Sequence, residues 1–183
     1  MTHHHPVGYL GGVAAALMTS YAIQNIPIKK WAVKCLDGFD LAREYIKASS
    51  HCVEENLREW STFIEPWKRY MRTRDIENGE NEPVFPDEYG VKERDAFYKT
   101  IFNANSSKTW AGSNGLDSVL IAYDGLLGCK GDWKELCLRA MLHGGDNDST
   151  GSIAGSFYGA LYGFQGVPEN NYQVRRKSFF NWT

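Results

Sequence analysis

Apolar residues recur at three- and four-residue spacing in every long segment of this 183-residue chain, and this periodicity constrains its fold more than any other feature. Alternation of apolar and polar residues, which is typical of half-buried strands, is nearly absent. With 43% hydrophobic and 23% charged residues, the chain can bury a substantial core within one domain. The sequence therefore predicts an all-α fold and excludes disorder and collagen-like structure.

Glycine, proline and polar clusters set the expected ends of the helices. We predict helices over residues 8–24, 27–46, 52–71, 91–102, 118–127, 133–142 and 149–163. Gly38 is expected to break the second helix, and Pro66 is expected to kink the third. Residues 78–86 and 103–115 are predicted to be loops, because turn-forming residues dominate both.

The charge balance excludes binding to nucleic acid or anionic membranes by simple attraction. Lys and Arg number 20 against 22 Asp and Glu, the net charge is −2 and the isoelectric point is near 6.2. The least polar run, Val7–Ile23, lacks the basic start and cleavage site of a signal peptide, so a buried helix is expected there. Four cysteines without a paired motif favour a reducing compartment, and we expect a cytoplasmic location.

The stretch from His143 to Gly151 is the most informative part of the sequence. It places two carboxylates, Asp146 and Asp148, and two hydroxyls, Ser149 and Thr150, directly before a predicted helix. Two carboxylates this close favour either a bound cation or one raised pKa, and oxygen ligands point to Mg²⁺, Mn²⁺ or Ca²⁺. The pattern therefore predicts a hard-cation site.

Two other interpretations fit part of the same stretch. Asp146, Asp148, Thr150 and Gly151 match the first positions of an EF-hand loop, but Phe157 stands where that loop needs a bidentate Glu. Alternatively, Asp148 or Ser149 only caps the following helix, a role worth ~1 kcal/mol. A cap needs one such residue, whereas this stretch has four.

Two further patterns accompany the cation motif. Glycines occupy every fourth position of the last helix, at residues 151, 155, 159 and 163, and predict tight packing, with Gly11, Ala15 and Thr19 as a candidate partner surface. At the other end, His3, His4 and His5 precede a helix. Consecutive helical residues point about 100° apart, so a loop that contacts phosphate or ribose fits these histidines better than one metal site.

Thr2-His-His-His-Pro6 and His143-Gly-Gly-Asp-Asn-Asp-Ser-Thr150 together resemble the ADP-ribosylhydrolase family, most of all its ADP-ribosylarginine hydrolases. The likeness continues through Cys52–Leu57, Tyr89–Asp95, Ile121–Asp124 and Tyr162–Phe164, to about Tyr172. It implies a compact, orthogonal multi-helix domain with two Mg²⁺ ions. It also implies hydrolysis of the N-glycosidic bond between ADP-ribose and a protein arginine, in a protein that is monomeric when complete and binds neither nucleic acid nor membrane.

The resemblance also implies roles for individual residues. Asp146, Asp148 and Ser149 correspond to metal ligands, and the two aspartates to catalytic positions. His3 corresponds to a contact with ADP-ribose. The loop with Trp110, Gly112, Ser113 and Gly115 corresponds to a substrate-binding segment beside the adenosine, although turn-forming composition would also explain its small residues.

Departures from the family pattern limit these expectations. The chain has no Asp-Asp pair, so the Ser/Thr-Asp-Asp-Thr motif of the family's N-terminal half is missing. Leu116 replaces the His of the family's Gly-His-Asp, and residues 173–183 form a divergent tail after a domain part spanning residues 1–172. We expect the chain alone to be inactive and poorly soluble, with no identifiable general base. The alternative is a catalytically dead protein that binds ADP-ribose or has a regulatory role.

Overall fold

The computed structural model describes residues 4–102 and 110–173, and every regular element within these ranges is helical. A 3₁₀ turn at Ile28–Lys30 precedes the second of eight α-helices. The helices are α1 Pro6–Ile23, α2 Trp31–Ser49, α3 Val53–Glu59, α4 Ser61–Thr73, α5 Val91–Phe102, α6 Gly115–Cys129, α7 Trp133–Ala140 and α8 Asn147–Tyr162. The all-α prediction is confirmed. His3, the loop 103–109 and residues 174–183 of the tail lie outside the described ranges.

Helix α6 forms the centre of the fold. Every residue from Leu116 to Cys129 is buried, because the sequence is apolar or small on all sides of the helix. Helices α1, α4, α5, α7 and α8 contact it directly. The N-terminus of α6 therefore has a fixed position relative to the helices around it.

Helices α1 and α6 meet backbone to backbone at Gly11 and Gly115. A Cβ atom on Gly11 would collide with the Gly115 carbonyl group, and a Cβ on Gly115 would collide with the Val7 carbonyl oxygen. By length and composition alone, helix α1 is long and apolar enough to cross a membrane. Its buried residues, which include Leu10, Ala14 and Met18, contribute to the main core, as the sequence predicted.

The predicted break at Gly38 is wrong. Helix α2 continues through Gly38, where an added Cβ would lie 2.5 Å from Leu17 Cδ1 of α1, so a side chain there would force Leu17 to move. The third predicted helix divides at Trp60, whose N–H bonds to the Leu57 carbonyl oxygen three residues back, and not at Pro66. Helix α4 continues through Pro66, and the kink expected there stays a prediction. Helix α8 also begins two residues before the predicted Ser149.

The prediction of tight packing along the glycines of α8 is also wrong for three of the four. Added Cβ atoms at Gly155, Gly159 and Gly163 would meet nothing within 4 Å among the described residues. Only Gly151 is confined, because a Cβ added there would lie 2.9 Å from Met141 Cγ. Helices α1 and α8 do contact each other, but these three glycines do not mediate the contact.

A buried ion pair anchors α6 to α4 and to the chain that follows α4. Arg74 Nε and Nη2 donate to the two carboxylate oxygens of Asp124 at 2.6 and 3.1 Å, and both side chains are almost completely buried. The Arg74 guanidinium lies between the rings of Phe85 and Phe97, at 4.3 and 4.2 Å from their centroids. This arrangement fixes residues 74–90 against the central helix.

Three tyrosine hydroxyl groups complete the coordination of the Asp124 carboxylate. They belong to Tyr70, Tyr89 and Tyr98, and donate at 2.8, 3.1 and 2.9 Å. Burial raises the pKa of Tyr70 and Tyr98 well above the ordinary value, so both remain donors. We call these residues, together with Arg74, the Asp124 cluster.

Replacing Asp124 with Asn should destabilise the protein strongly, because the buried Arg74 charge would lose its counter-ion. We expect a loss of about 3–5 kcal/mol in the free energy of unfolding, measured by urea denaturation followed by tryptophan fluorescence. Glu80→Gln removes an exposed ion pair with Lys30 and should leave that free energy unchanged. Equal effects of the two substitutions would contradict a special contribution of the Asp124 cluster.

Neighbouring glycines of α1 should respond to alanine in opposite ways. Gly11→Ala should lower the free energy of unfolding by about 2 kcal/mol or more, because the methyl group meets the backbone of Gly115. At Gly12 a Cβ would meet nothing within 4 Å, so Gly12→Ala should raise that free energy by about 0.5–1 kcal/mol through helix propensity. Urea denaturation of both variants measures the difference. Stabilisation by both substitutions would show that α1 and α6 do not touch at Gly11.

Candidate functional site

The first turns of α1, α6 and α8 line one cleft of about 450 Å³. Its lining residues are His5, Val7, Gly8, Gly112, Ser113, Asn114, Gly115, Ser118 and Ser149. The N-terminus of a helix carries a partial positive charge from the aligned peptide dipoles. Three such ends at one cleft, with hydroxyl and amide side chains between them, provide an environment suited to an anionic ligand.

The loop before α6 packs directly on the turn before α8. Asp146 N–H donates to the Ala111 carbonyl oxygen at 2.8 Å, and Gly145 lies so close to Ala111 that a side chain there would clash. Gly112 has a φ angle of +94°, which a residue with a side chain rarely adopts. A Cβ on Gly112 would lie 2.8 Å from Thr150 Cγ2 and 3.5 Å from Asp146 Cβ. Both glycines are therefore required by the contact between the two segments.

Asp146 is the N-cap of α8. Its Oδ1 accepts from Ser149 N–H at 3.4 Å, and its Oδ2 accepts from the Ser149 hydroxyl at 3.1 Å. The capping alternative raised by the sequence is thus realised, but by Asp146 and not by Asp148 or Ser149. The two residues predicted to share a cation with Asp146 lie in the first turn of the helix that it caps.

Asp148 is exposed beside this cap. The pKa of its carboxyl group is lowered, chiefly by a side-chain hydrogen bond with the Asp146 carboxyl and then by backbone N–H groups of the first turn. Carboxyl groups close enough to share a proton are also close enough to share a cation. Within residues 4–102 and 110–173, however, no three His, Cys, Asp or Glu side chains are grouped as a complete metal site.

A capping box defines the start of α6 at the opposite wall of the cleft. The Asn114 side chain accepts from the N–H groups of Leu116 and Asp117, and Asp117 Oδ1 accepts from Asn114 N–H at 2.9 Å. Asp117 is fully buried, and its Oδ2 has no protein partner among the described residues. Burial raises the pKa of this carboxyl group from 3.8 to about 6, despite the backbone donors that lower it.

The structure brings together most of the residues predicted to act here. Gly112, Ser113, Gly115 and Ser149 line the cleft, and Asp146 and Asp148 are neighbours of Ser149 in the first turn of α8. Trp110 is 73% exposed and does not line the cleft, so its predicted stacking on adenine has no support from this position. His3 lies outside the described residues, and its predicted contact stays a prediction.

His5 belongs to the histidine run that the sequence assigned to a ligand-contacting loop. It caps α1 through Nδ1, which accepts from Val7 N–H at 3.2 Å, and it lines the cleft. Sequence reasoning missed Asn114 and Ser118, which line the cleft at the start of α6, and the buried Asp117 behind them. The spacing Asn-x-x-Asp before an apolar run is a capping-box variant, so it could have indicated the true start of α6 three residues before the predicted Ser118.

Comparison with known proteins accounts for this combination of features. Residues 1–180 match the sequence model of the ADP-ribosylglycohydrolase family. The chain belongs to this family. It is 43% identical over 190 residues to the ADP-ribosylhydrolase ARH1 of Dictyostelium discoideum, an alignment that covers 94% of the chain and 47% of that protein.

A second relative of this ADP-ribosylglycohydrolase family member comes from a virus. A protein of Acanthamoeba polyphaga mimivirus, named for an ADP-ribosyl glycohydrolase, is 30% identical over 166 residues, which cover 88% of the chain and 31% of that protein. The chain therefore spans about half the length, or less, of these curated relatives. The resemblance noted in the sequence is confirmed at the level of the family.

The raised pKa of Asp117 should make stability depend on pH. The folded state holds the proton more tightly than the unfolded chain, so this residue's contribution is complete below about pH 4 and is lost as the pH rises through about 6. Relative to Asp117→Asn, the wild type should lose up to about 3 kcal/mol of unfolding free energy between pH 4 and pH 7. Urea denaturation of both proteins at the two pH values measures this change. A constant difference would contradict the raised pKa.

Proposed function

We propose that this chain forms part of a Mg²⁺-dependent site that hydrolyses the N-glycosidic bond between ADP-ribose and a protein arginine. One observation carries the proposal: the three helix N-termini open on the same cleft, and Ser149, which lines it, neighbours Asp146 and Asp148. A ligand that suits this cleft combines phosphate groups with hydroxyl groups, and ADP-ribose has both. The choice of arginine as the linked residue rests on the sequence resemblance.

The diphosphate of ADP-ribose fits the cleft for electrostatic reasons. The N-termini of α1, α6 and α8 each carry a partial positive charge, and anions are stabilised near such helix ends. The described lining has no Lys or Arg side chain, so the helix dipoles and neutral donors such as Ser113 and Ser118 would hold the phosphates. The chain's net charge of −2 agrees with local recognition rather than general attraction of anions.

The donor set at the α8 edge fits Mg²⁺. Asp146 and Asp148 offer carboxylate oxygens and Ser149 a hydroxyl oxygen, while Mg²⁺ prefers oxygen ligands and usually retains several waters. Two carboxylates and a hydroxyl would hold an ion only in part, which agrees with a chain about half as long as its relative. When bound, Mg²⁺ supplies positive charge that orients phosphate and ribose oxygens and stabilises the charge that develops at the reacting bond.

The chain's own residues have defined parts in this proposal. Asp146 holds the first turn of α8 because its Oδ1 caps the helix at Ser149 N–H. Its Oδ2 accepts from the Ser149 hydroxyl, so these two proposed Mg²⁺ ligand oxygens lie side by side. Gly112 and Gly145 allow the two loops to approach, so that the α6 and α8 ends reach the same ligand. No described residue is assigned as the base that activates water, and we propose that this group lies in the part of the family domain that the chain does not cover.

The proposal also covers the cellular location and the oligomeric state of the protein. All four cysteines are free and Cys35 and Cys129 are buried, which supports a reducing, cytoplasmic location. We propose that the complete protein acts as a monomer on ADP-ribosylated proteins.

Asp148→Ala tests the proposed metal role. We expect it to abolish Mg²⁺-dependent release of ADP-ribose from ADP-ribosylarginine, because a carboxylate at the ion cannot be replaced by a methyl group. The assay uses the chain co-expressed with the part of the Dictyostelium ARH1 relative that the alignment leaves uncovered. Unfolding free energy should change little, since Asp148 is exposed and is not the helix cap.

Asp132→Ala is the matched control. Asp132 caps α7 by accepting from Glu135 N–H at 2.8 Å, so its loss should lower the unfolding free energy by ~1 kcal/mol and leave ADP-ribose release unchanged. Normal turnover by Asp148→Ala would contradict the metal role. Binding of ADP-ribose without cleavage, in a co-expressed sample that is folded, would instead support the alternative of a dead ADP-ribose-binding protein.

A further inference from the structure

His143 lies fully buried between the end of α7 and the start of α8. The Tyr98 ring meets its imidazole at 89°, with 5.6 Å between centroids. Arg94 holds the chain just before it, because Arg94 Nη2 donates to the carbonyl oxygens of Leu138 and Leu142 at 2.8 and 3.2 Å. The imidazole ring is thus held on one side by α5 and faces α8 on the other.

The hydrogen bonds around Thr150 determine which ring nitrogen carries the proton. Thr150 Oγ1 lies 2.7 and 3.0 Å from the carbonyl oxygens of Ala140 and Asp146, which can only accept, so the single hydroxyl proton is donated to a carbonyl oxygen. His143 Nε2 lies 2.9 Å from the same hydroxyl oxygen and must therefore donate to it. This leaves Nδ1 without a proton, and among the described residues Nδ1 has no partner. Burial and Arg94 lower the pKa of His143 to about 4, so the ring stays neutral.

Thr150 transmits this contact to the proposed metal ligands. It lies in the first turn of α8, where its N–H donates to the Asp146 carbonyl oxygen at 3.3 Å and its hydroxyl lies 3.0 Å from the same oxygen. The Cγ2 atom of Thr150 also packs against Gly112 across the two loops. A displacement of Thr150 would therefore move both Asp146 and the α6 loop.

We infer that His143 is a positioning residue: its Nε2–H group holds the Thr150 hydroxyl, and through it the turn that presents Asp146, Asp148 and Ser149. The claim that His143 holds the turn before α8 follows from the observed contacts. The claim that this affects Mg²⁺ binding rests on the proposed function. An apolar side chain would fill the same space without leaving a buried ring nitrogen unpaired. A histidine at this position supplies an Nε2–H group that donates a hydrogen bond to the Thr150 hydroxyl oxygen.

The first test measures the turn without any metal. Hydrogen exchange by NMR should show the Ser149 and Thr150 amides exchanging up to about tenfold faster in His143→Leu and in Thr150→Val, as for the loss of one net hydrogen bond. His143→Gln supplies an amide donor of similar reach and should restore slow exchange. Tyr158→Phe is the control. Tyr158 lies farther along α8, and the substitution removes a partly buried hydrogen bond from its hydroxyl to the Gly131 carbonyl oxygen. It should leave the two amides unchanged.

Each outcome decides the inference. Unchanged exchange in His143→Leu and Thr150→Val would overturn it, and so would a Gln variant as fast as the Leu variant. Long-range ¹H–¹⁵N spectra of the wild type should show Nε2 protonated and Nδ1 bare from pH 5 to pH 8, and a protonated Nδ1 would overturn the assigned donor. Because Thr150→Val tests the bond from its other end, failure of His143→Leu to fold leaves the test intact.

The second test concerns Mg²⁺ in the co-expressed protein used for Asp148→Ala. His143→Leu and Thr150→Val should each raise the Mg²⁺ concentration for half-maximal ADP-ribose release by about 10-fold or more, and the double variant should be no worse than either. His143→Gln and Tyr158→Phe should keep the wild-type Mg²⁺ dependence. If Asp148→Ala has no effect, the proposed function fails while the exchange test still stands. If Asp148→Ala abolishes release and the His143 and Thr150 variants do not change the Mg²⁺ dependence, the inference fails.

Discussion

The backbone contact between α1 and α6 at Gly11 and Gly115 is the constraint on which the site depends. Neither position has room for a side chain, so the two helices approach more closely than packed side chains would allow. The contact occurs at the first residue of α6 and within the second turn of α1. It therefore brings two helix N-termini to the same place, and the environment for an anion arises from helix packing before any charged side chain is considered.

The third N-terminus joins through a different kind of contact. The turn before α8 is attached to the α6 loop by one backbone hydrogen bond, from Asp146 to Ala111, and by two glycines that remove steric barriers. Such a connection between loops has little rigidity of its own, because few buried apolar side chains support it. The buried contacts of His143 and Thr150 behind the turn compensate for this weakness, and the Tyr98 ring links them to the Asp124 cluster.

Local patterns predicted the helices well and their interruptions poorly. Helix α5 matches the expected residues 91–102 because polar residues and glycine bound it clearly. Gly38 was expected to break α2, yet the helix continues through it, packed against Leu17 of α1. The third predicted helix instead divides at Trp60, which no proline or glycine marks. The cation motif and the glycine-rich loop were visible in sequence. Their meeting depends on contacts between segments about 35 residues apart, and the participation of His5 on contacts more than 100 residues apart, which periodicity does not encode.

The two interpretations of Asp146, helix cap and metal ligand, are compatible because they use the carboxylate differently. A cap needs one oxygen at the N–H of the third helical residue, and Asp146 Oδ1 occupies that position at Ser149. The other oxygen, Oδ2, accepts from the Ser149 hydroxyl, whose oxygen is itself a ligand type that hard cations prefer. The cap therefore orients the carboxylate and the hydroxyl together. A residue that merely capped α8 would not need a second carboxylate beside it, and Asp148 is the residue that distinguishes this turn from the Asp132 cap of α7.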